Sequence, residues 1–179
     1  MTAPDEQLMA DVRGGSRDAF AALFDRYRDP VWRFFRRRVP DRGRAEELTQ
    51  DTFVAILEGA GRYEARGPFR SYLFGVAFNI LLSDRRKAAA HRTVPAGDEA
   101  AATADRDTAL WIQSALARLD DDDRELLMLR EYEELSYLEI AHMLSIPINT
   151  VRSRLFRARL ALREVLEARG TVGVRHAVR

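Results

Sequence analysis

Apolar residues recur three and four positions apart through almost the whole chain, and this spacing limits the possible folds more than any other feature. Phe20, Leu23, Phe24 and Tyr27, for example, would cover one face of a helix. No segment shows the alternation of apolar and polar residues that indicates a half-buried strand. The sequence therefore predicts an all-α protein.

Start and stop signals locate several of the helices. Ser16 is a candidate N-cap, and Asp29-Pro30 has the form of an N-cap followed by proline, so a new helix is expected to begin there. A third helix is predicted at about residues 45–58. Pro68 opens a long fourth helix that is expected to end near Lys87.

The composition changes at residues 88–104, where alanine, proline, glycine and scattered charges replace the apolar periodicity. This change is typical of a linker. The sequence therefore predicts two small helical domains, residues 5–87 and 105–169, joined by a flexible linker. Residues 170–179 are predicted to be a frayed tail, because Gly170 would end the last helix.

The second predicted domain contains a helix-turn-helix pattern. Ser136 and Glu139 have the spacing of a capping box at the start of a short helix. Residues 145–147 predict the turn, and Val151 and Leu155 would anchor the second helix. An acidic run, residues 120–123, comes earlier; it predicts the first turn of another helix, and a solvated loop of like charges is the alternative.

The second helix of this pattern has a basic face opposite its apolar stripe. The residues on and beside that face are short or basic, apart from one phenylalanine: Asn149, Arg152, Ser153, Arg154, Phe156 and Arg157. Such a face suits the DNA major groove, where central side chains touch base edges and flanking guanidinium groups bind phosphates. The alternative is a solubilising face on which Phe156 packs against a neighbour.

Charge and composition exclude several other classes of protein. The net charge is only +1, although residues 33–44 carry six arginines and one aspartate. This uneven distribution of charge bears on what the protein binds more than on its fold. Without cysteine there is no disulfide, Cys-ligated zinc or thiol nucleophile, and the three histidines lie far apart, so no metal and no cofactor are expected. Residues 1–20 lack a signal-peptide pattern, and the longest apolar run is too short to span a bilayer, so no membrane anchor is expected.

Three segments together resemble the extracytoplasmic-function (ECF, group IV) sigma factors of bacterial RNA polymerase. The stretch LSYLEIAHMLSIPINTVRSRLFRAR is similar to that family's domain 4 signature, and AEELTQDTFVAIL resembles its domain 2 signature. FRSYLFGVAFNILLSDRRK is similar to the helix that opens and reads the −10 element. The order and spacing of the three are the specific part of the resemblance, which covers nearly all of residues 5–168.

The resemblance implies a subunit that binds core RNA polymerase and directs it to promoter DNA. The residues implied in −35 recognition are Asn149, Thr150, Arg152, Ser153, Arg154, Phe156 and Arg157. Those implied at the −10 element, where the loop at 59–67 would hold a flipped base, are Arg62, Tyr63, Asn79, Ser83, Arg85, Arg86 and Lys87. The stripe formed by Asn79, Ser83 and Arg86 also favours this reading by itself, since an amide can read an unstacked base and cations hold phosphates.

An acidic and polar stripe on the third helix would face outward, and we call it the docking stripe: Glu47, Gln50, Asp51 and Val54. By itself it is equally consistent with an ordinary solvated helix face. In the family this surface docks on the clamp helices of the largest polymerase subunit. The resemblance further implies contact with the flap of the second-largest subunit, an anti-sigma factor as a possible partner, and action in the cytoplasm.

The sequence departs from the family at several positions. Tyr72 stands where tryptophan is usual and Phe78 where arginine is usual, which concerns the −10 contacts. Ser145 replaces a frequent turn glycine, and Asp120 stands where proline is common. Two other classes remain: a stand-alone helix-turn-helix regulator, which would bind its operator without polymerase, and an enzyme, for which the scattered histidines and absent cysteines supply no catalytic cluster.

Overall fold

The computed structural model describes residues 3–91 and 114–174. All the regular secondary structure in these ranges is helical, as the periodicity predicts. The chain divides into two compact units, with the division between Glu99 and Ala100. Most of the predicted linker and the end of the predicted tail lie outside the described residues, so the proposed domain boundaries stay predictions.

The first unit, as far as it is described, is built from four α-helices and one short 3₁₀ turn: α1 (Asp5–Arg13), α2 (Arg17–Arg36), α3 (Arg42–Gly59), the turn Ala60–Arg62 and α4 (Phe69–His91). Helix α1 was not predicted. Its buried side chains, Leu8, Met9 and Val12, have helical spacing and were the signal for it. The other three helices begin close to the predicted positions.

Helix α2 is continuous, so the prediction that a new helix begins at Pro30 is wrong. A proline inside a helix removes one backbone hydrogen bond and costs about 3 kcal/mol. On the two sides of it, Leu23 and Tyr27 are buried, as are Val31 and Phe34. Burying a large apolar side chain contributes about 1.5–3 kcal/mol, so packing along this face outweighs the cost of the proline.

The core of the first unit is largely aromatic. Phe34, Phe69 and Phe74 are almost completely buried. The ring centroids of Phe34 and Phe74 lie 5.6 Å apart, and those of Tyr27 and Phe69 also lie 5.6 Å apart. Edge-on and tilted ring pairs add about 0.5–1.5 kcal/mol each to the burial of area. These contacts fix α4, which carries most of the predicted −10 residues, against α2.

Side-chain caps begin several of the helices, and some of these caps were predicted from the sequence. The Ser16 hydroxyl accepts a hydrogen bond from Ala19 N at 3.2 Å, which confirms the predicted cap of α2. The N-terminus of α4 is capped by a residue far away in the sequence, since Glu6 Oε1 on α1 accepts a hydrogen bond from Phe69 N at 3.1 Å. Its neighbour Asp5 accepts a hydrogen bond from the Tyr27 hydroxyl. Helix α1 therefore ties the middle of α2 to the start of α4.

Removing the long-range cap should destabilise the first unit. We expect Glu6→Ala to lower the free energy of unfolding by about 1 kcal/mol, the usual contribution of an N-cap hydrogen bond. For a unit of this size that corresponds to a fall in Tm of roughly 4–8 °C, measurable by circular dichroism. Glu6→Gln keeps the acceptor oxygen and Gln7→Ala changes an exposed neighbour, so both should melt close to the wild type. An unchanged Tm for Glu6→Ala would show that the cap contributes nothing.

The second unit contains three complete α-helices within its described residues: α5 (Asp121–Glu131), α6 (Tyr137–Leu144) and α7 (Ile148–Val174). Asp120 is the N-cap of α5, because its side chain accepts a hydrogen bond from Asp122 N at 3.0 Å. The next three aspartates occupy the first turn of the helix. The interpretation of the acidic run as a helix start is therefore confirmed, and the loop alternative is wrong.

Two predicted helix ends are wrong. Helix α4 continues beyond Lys87 to His91, because three alanines follow and alanine has the highest helix propensity. Helix α7 continues past Gly170 to Val174. A glycine costs about 1 kcal/mol in a helix, but no proline follows it to force an end. The first residues of the predicted linker and of the predicted tail are therefore helical.

Two kinds of feature are missing from residues 3–91 and 114–174. No helix there combines the length and the apolar character needed to cross a membrane. In the same ranges, no three histidine or acidic side chains come together as metal ligands would.

Candidate nucleic-acid and polymerase interfaces

Helices α6 and α7 form the predicted helix-turn-helix. The capping box is present in full: Glu139 N donates to the Ser136 hydroxyl at 3.2 Å, and Ser136 N donates to Glu139 Oε2 at 2.6 Å. Ile140 and Ala141 are buried on the inner face of α6. Because the start of α6 is fixed by two reciprocal hydrogen bonds, the position of the following turn is also fixed.

The turn between the two helices passes through the left-handed region of backbone conformation. Ser145 has φ 54° and ψ 41°. Ser145 N donates to His142 O at 3.3 Å and Ile146 N donates to Ala141 O at 3.0 Å, so carbonyls at the end of α6 find partners. An L-residue with a side chain pays about 1–2 kcal/mol for this conformation. The departure from the family's frequent glycine therefore has a cost in backbone strain.

Replacing this serine by glycine should stabilise the second unit. We expect Ser145→Gly to raise the free energy of unfolding by about 0.5–1 kcal/mol, because the relief of strain exceeds the extra entropy that glycine gives the unfolded chain. The midpoint of urea unfolding measures the effect. Ser145→Ala keeps the Cβ atom and should show no gain. Equal midpoints for the glycine and alanine variants would mean that the turn is not strained.

Helix α7 buries one face and exposes the predicted −35 residues. Val151, Leu155 and Ala158 are at most 1% exposed. Of the predicted −35 residues, two are half-buried, Thr150 and Arg154, and five are exposed: Asn149, Arg152, Ser153, Phe156 and Arg157. The Phe156 side chain is 69% exposed, so it does not pack on a neighbour within the described part of the chain. The structure thus brings the predicted set together on one surface, which we call the recognition face.

Hydrogen bonds hold several side chains of the recognition face, including Ser153, whose hydroxyl donates to Thr150 O at 3.1 Å, but not Arg157. At one edge, Arg154 Nη1 donates to Asp122 Oδ2 of α5 at 3.1 Å. Arg152 Nη1 donates to Asn149 Oδ1 at 3.3 Å. Among the described residues, Arg157 has no hydrogen bond or ion pair. A phosphate or a base edge can therefore reach Arg157 without first displacing a protein partner.

One arginine of the same helix has a structural role instead. Arg159 Nη2 lies 2.7 Å from Glu131 Oε1, and its Nη1 donates to the Tyr137 hydroxyl at 3.1 Å. These two hydrogen bonds raise the pKa of Arg159 above its usual value. They join α7 to both α5 and α6. Arg159 thus holds the three helices together beside the recognition face.

Most of the predicted −10 residues lie along the outer side of α4. Asn79, Arg85, Arg86 and Lys87 are exposed, and Ser83 is half-buried. A shallow groove of about 590 Å³ follows this side; the residues that line it are Asn79, Leu82, Arg85, Arg86 and Ala89. The groove combines one amide, apolar surface and cations, and the cations could follow the backbone of an unpaired strand.

Tyr63 does not lie on this surface. Its side chain is only 9% exposed, and its ring centroid lies 4.9 Å from that of Tyr72 and 6.2 Å from that of Phe69. Burial raises the pKa of Tyr63, and the charge of Glu6 adds to the effect. Aromatic rings on both sides bury it, so little of its side chain can be reached from solvent, and its assignment to the −10 element stays a prediction. It supports the loop from inside, while Arg62 is exposed beside it.

The two family departures near the −10 surface differ in kind. Phe78 is 5% exposed and belongs to the core, facing away from the exposed Asn79. Tyr72 is half-buried, and its hydroxyl would lie 3.0 Å from a Cβ atom at position 59, so Gly59 leaves the room that this ring needs. Tyr72 therefore shapes the loop before α4, and Phe78 shapes the interior.

The docking stripe is exposed along its whole length. All four residues, Glu47, Gln50, Asp51 and Val54, face solvent, while Leu48 and Ile56 are buried on the other side of α3. Glu47 is paired with Arg44 at 2.6 Å. Leu57, which the sequence reading missed, is 51% exposed and lies three residues after Val54, which is 52% exposed. The stripe therefore ends in an apolar patch, and the i+3 spacing from Val54 was the signal for it.

The chain is similar to two known protein families and to several known proteins. The family described as Sigma-70 region 2 matches residues 23–91, and Sigma-70, region 4 matches residues 109–162. The chain is 30% identical to the RNA polymerase sigma-H factor of Pseudomonas aeruginosa, over 91% of this chain and 94% of that one. It is 32% identical to the ECF RNA polymerase sigma factor SigM of Mycobacterium tuberculosis, over 90% and 84%.

A solved structure shows the same similarity. The chain resembles CnrH, solved in complex with the cytosolic domain of CnrY, with a TM-score of 0.72 and 26% identity over 92% of this chain and 97% of that one. The docking stripe and the predicted −10 residues fall inside the region 2 match, and the recognition face falls inside the region 4 match. The chain belongs to the extracytoplasmic-function group of the sigma-70 family of RNA polymerase sigma factors.

Proposed function

We propose that this chain binds core RNA polymerase and directs transcription initiation at promoters that carry particular −10 and −35 elements. One observation carries the proposal: the chain has three exposed surfaces with different chemistry, in the order in which the family's regions occur. They are an acidic stripe on α3, a cationic groove on α4 and a basic recognition face on α7. Any one of these surfaces alone would not identify the function.

The recognition face is assigned to the −35 element. Arg157 and Ser153 at its centre would contact base edges, and Phe156 would pack on thymine methyl groups or sugars. Arg152 and Arg154 at its edges would bind phosphates and fix the register of α7 in the major groove. The Arg154–Asp122 pair supports this role, because it orients the guanidinium before DNA arrives.

The groove on α4 is assigned to the −10 element. Asn79 can read an unstacked base, and Arg62, Arg85, Arg86 and Lys87 can hold the backbone of the displaced strand. Base stacking is worth about 1.4 kcal/mol per step, and a captured base contributes about 1–3 kcal/mol, so a few such contacts offset local strand opening. Binding energy alone performs this work. We therefore propose that the chain is not an enzyme and has no catalytic residues.

The docking stripe is assigned to the clamp helices of the largest polymerase subunit, and the second unit to the flap of the second-largest. The acids of the stripe offer charge complementarity, and Val54 and Leu57 offer apolar contact. CnrH was solved together with a protein partner. By analogy, a second protein that covers the stripe would keep this chain from polymerase. The chain would act in the cytoplasm, where the polymerase is.

Run-off transcription with purified core polymerase tests the proposal. Core enzyme should start at defined sites on genomic fragments only when this chain is added. A mobility shift with the chain alone is the companion experiment, since a stand-alone regulator would bind a specific duplex tightly without polymerase. Random initiation by the reconstituted enzyme, or tight specific binding by the isolated chain, would contradict the proposed function.

A further inference from the structure

Six arginines between residues 33 and 44 have no part in the function proposed above. They occupy the end of α2, the following turn and the start of α3. Arg33, Arg36 and Arg37 are spaced i, i+3 and i+4, so they share one face of the last turns of α2. The segment itself contains one acidic residue, Asp41.

Two of these arginines are fixed by bonds to neutral groups. Arg36 Nη1 donates to the carbonyl oxygens of Val39 and Pro40, both at 2.9 Å, and so holds the turn after α2. Arg38 Nη1 donates to Phe34 O at 3.0 Å, and its Cζ lies 3.9 Å from the centroid of the Phe34 ring. These bonds order both side chains at the end of α2.

The last two arginines are paired with carboxylates. Arg44 is paired with Asp84 and with Glu47. Arg42 Nε lies 3.1 Å from Glu46 Oε1, and the two side chains are 77% and 51% exposed. An ion pair that is this exposed contributes little to stability. Arg42 can therefore leave Glu46 and bind a phosphate with little loss of free energy.

The Arg44–Asp84 pair also shows where the segment lies. Asp84 comes directly before Arg85, Arg86 and Lys87 of α4, and Arg44 stands in the first turn of α3. The pair therefore brings the start of α3 and the end of α4 together. Because α3 follows α2 after a short turn, the arginines of α2 lie at the same end of the first unit as the cations of α4.

We infer that Arg33, Arg36 and Arg42 form a second phosphate-binding surface, the arginine cluster, which contacts the backbone of promoter duplex beside the DNA held by α4. The inference rests on the proposed function. Duplex DNA presents one negative charge per about 1.7 Å, which suits several cations on one rigid turn. Residues 33–44 contain no Asn, Gln, Ser or Thr. The arginines of the cluster would contact phosphates, and such contacts add affinity without reading sequence.

Salt dependence of promoter binding tests the inference. The double variant Arg33→Gln/Arg42→Gln is assembled with core polymerase, and its affinity for a promoter fragment is measured over a range of salt concentrations. Each lost phosphate contact lowers the slope of log K against log salt by about 0.9. We expect a loss of about 1–2 in the slope, equal for promoters with different −10 and −35 sequences.

The matched control is Arg13→Gln/Arg17→Gln, which removes the same charge at the other end of α2. Arg17 and Arg33 lie about 24 Å apart along the helix, and all four arginines in the two variants are exposed. The control should keep the wild-type slope. The variant Arg33→Lys/Arg42→Lys keeps both positive charges. Its slope of log K against log salt should therefore be close to that of the wild type.

Three results would overturn the inference. They are an unchanged slope in the glutamine variant, a loss that depends on promoter sequence, and a weakened affinity for core polymerase instead of for DNA. A wild-type reconstituted enzyme that fails to bind any promoter would contradict the proposed function itself. The two failures are thus distinguished within one set of measurements.

Discussion

An Asp51→Arg variant is expected to lose most of its affinity for core RNA polymerase. Asp51 is exposed in the middle of the docking stripe, beside Gln50 and three residues before Val54. The substitution removes the attraction between Asp51 and a positively charged group of polymerase. The new arginine would repel that group. Changes of this kind at central charge pairs cost about 2–5 kcal/mol, which is about thirtyfold or more in Kd. Titration of fluorescently labelled chain with core enzyme measures the loss.

The fold should tolerate this change, because Asp51 has no ion pair with any residue in the described ranges and arginine is a good helix former. Asp11→Arg on α1 is the matched control, since it introduces the same charge on an exposed helical position away from the stripe. It should bind core within about twofold of the wild type, allowing for the small effect of isolated surface charges. Normal core binding by Asp51→Arg would remove the docking stripe from the proposal.

An Arg157→Ala variant is expected to transcribe poorly from promoters that depend on the −35 element while binding core normally. Arg157 lies at the centre of the recognition face and is exposed. A lost contact between arginine and a base edge costs about 1–3 kcal/mol, which is roughly 5- to 150-fold in promoter binding. In vitro transcription on promoter pairs that differ only in the −35 element should show a smaller difference between the pair than the wild type gives.

The matched control for this variant is Arg118→Ala, which removes an exposed arginine of the same unit outside the recognition face. It should retain both activity and discrimination. Thermal unfolding of the two variants should be alike, because neither side chain is part of the core. If Arg157→Ala discriminated between −35 sequences as well as the wild type, the recognition face would have been assigned to the wrong surface.

Local signals in the sequence predict local structure well. The caps at Ser16 and Ser136 depend on backbone groups three residues away, so they can be identified without knowledge of the rest of the fold. The acidic run before α5 is similar. The exposure of the recognition face and of the docking stripe follows from helical periodicity alone, once the buried stripe is known. Their assignment to DNA and to polymerase stays a prediction.

Features that depend on distant packing were predicted wrongly or not at all. Pro30 has the local form of a helix start, but burial on both sides of it keeps α2 continuous. Tyr63 is in an otherwise polar loop, and its burial depends on Phe69 and Tyr72. The cap from Glu6 joins groups 63 residues apart in the sequence. No window of neighbouring residues contains the information for these three features.

The bond from Glu6 to the start of α4 has a practical consequence for anyone who studies variants of this protein. Asp5 and the carbonyl oxygen of Ala3 both accept hydrogen bonds from Arg26, so the beginning of the chain is built into the first unit. A variant in which these bonds are broken would therefore also disturb the start of α4 and the loop before it. An effect of such a variant on promoter binding would not by itself identify a residue that contacts DNA.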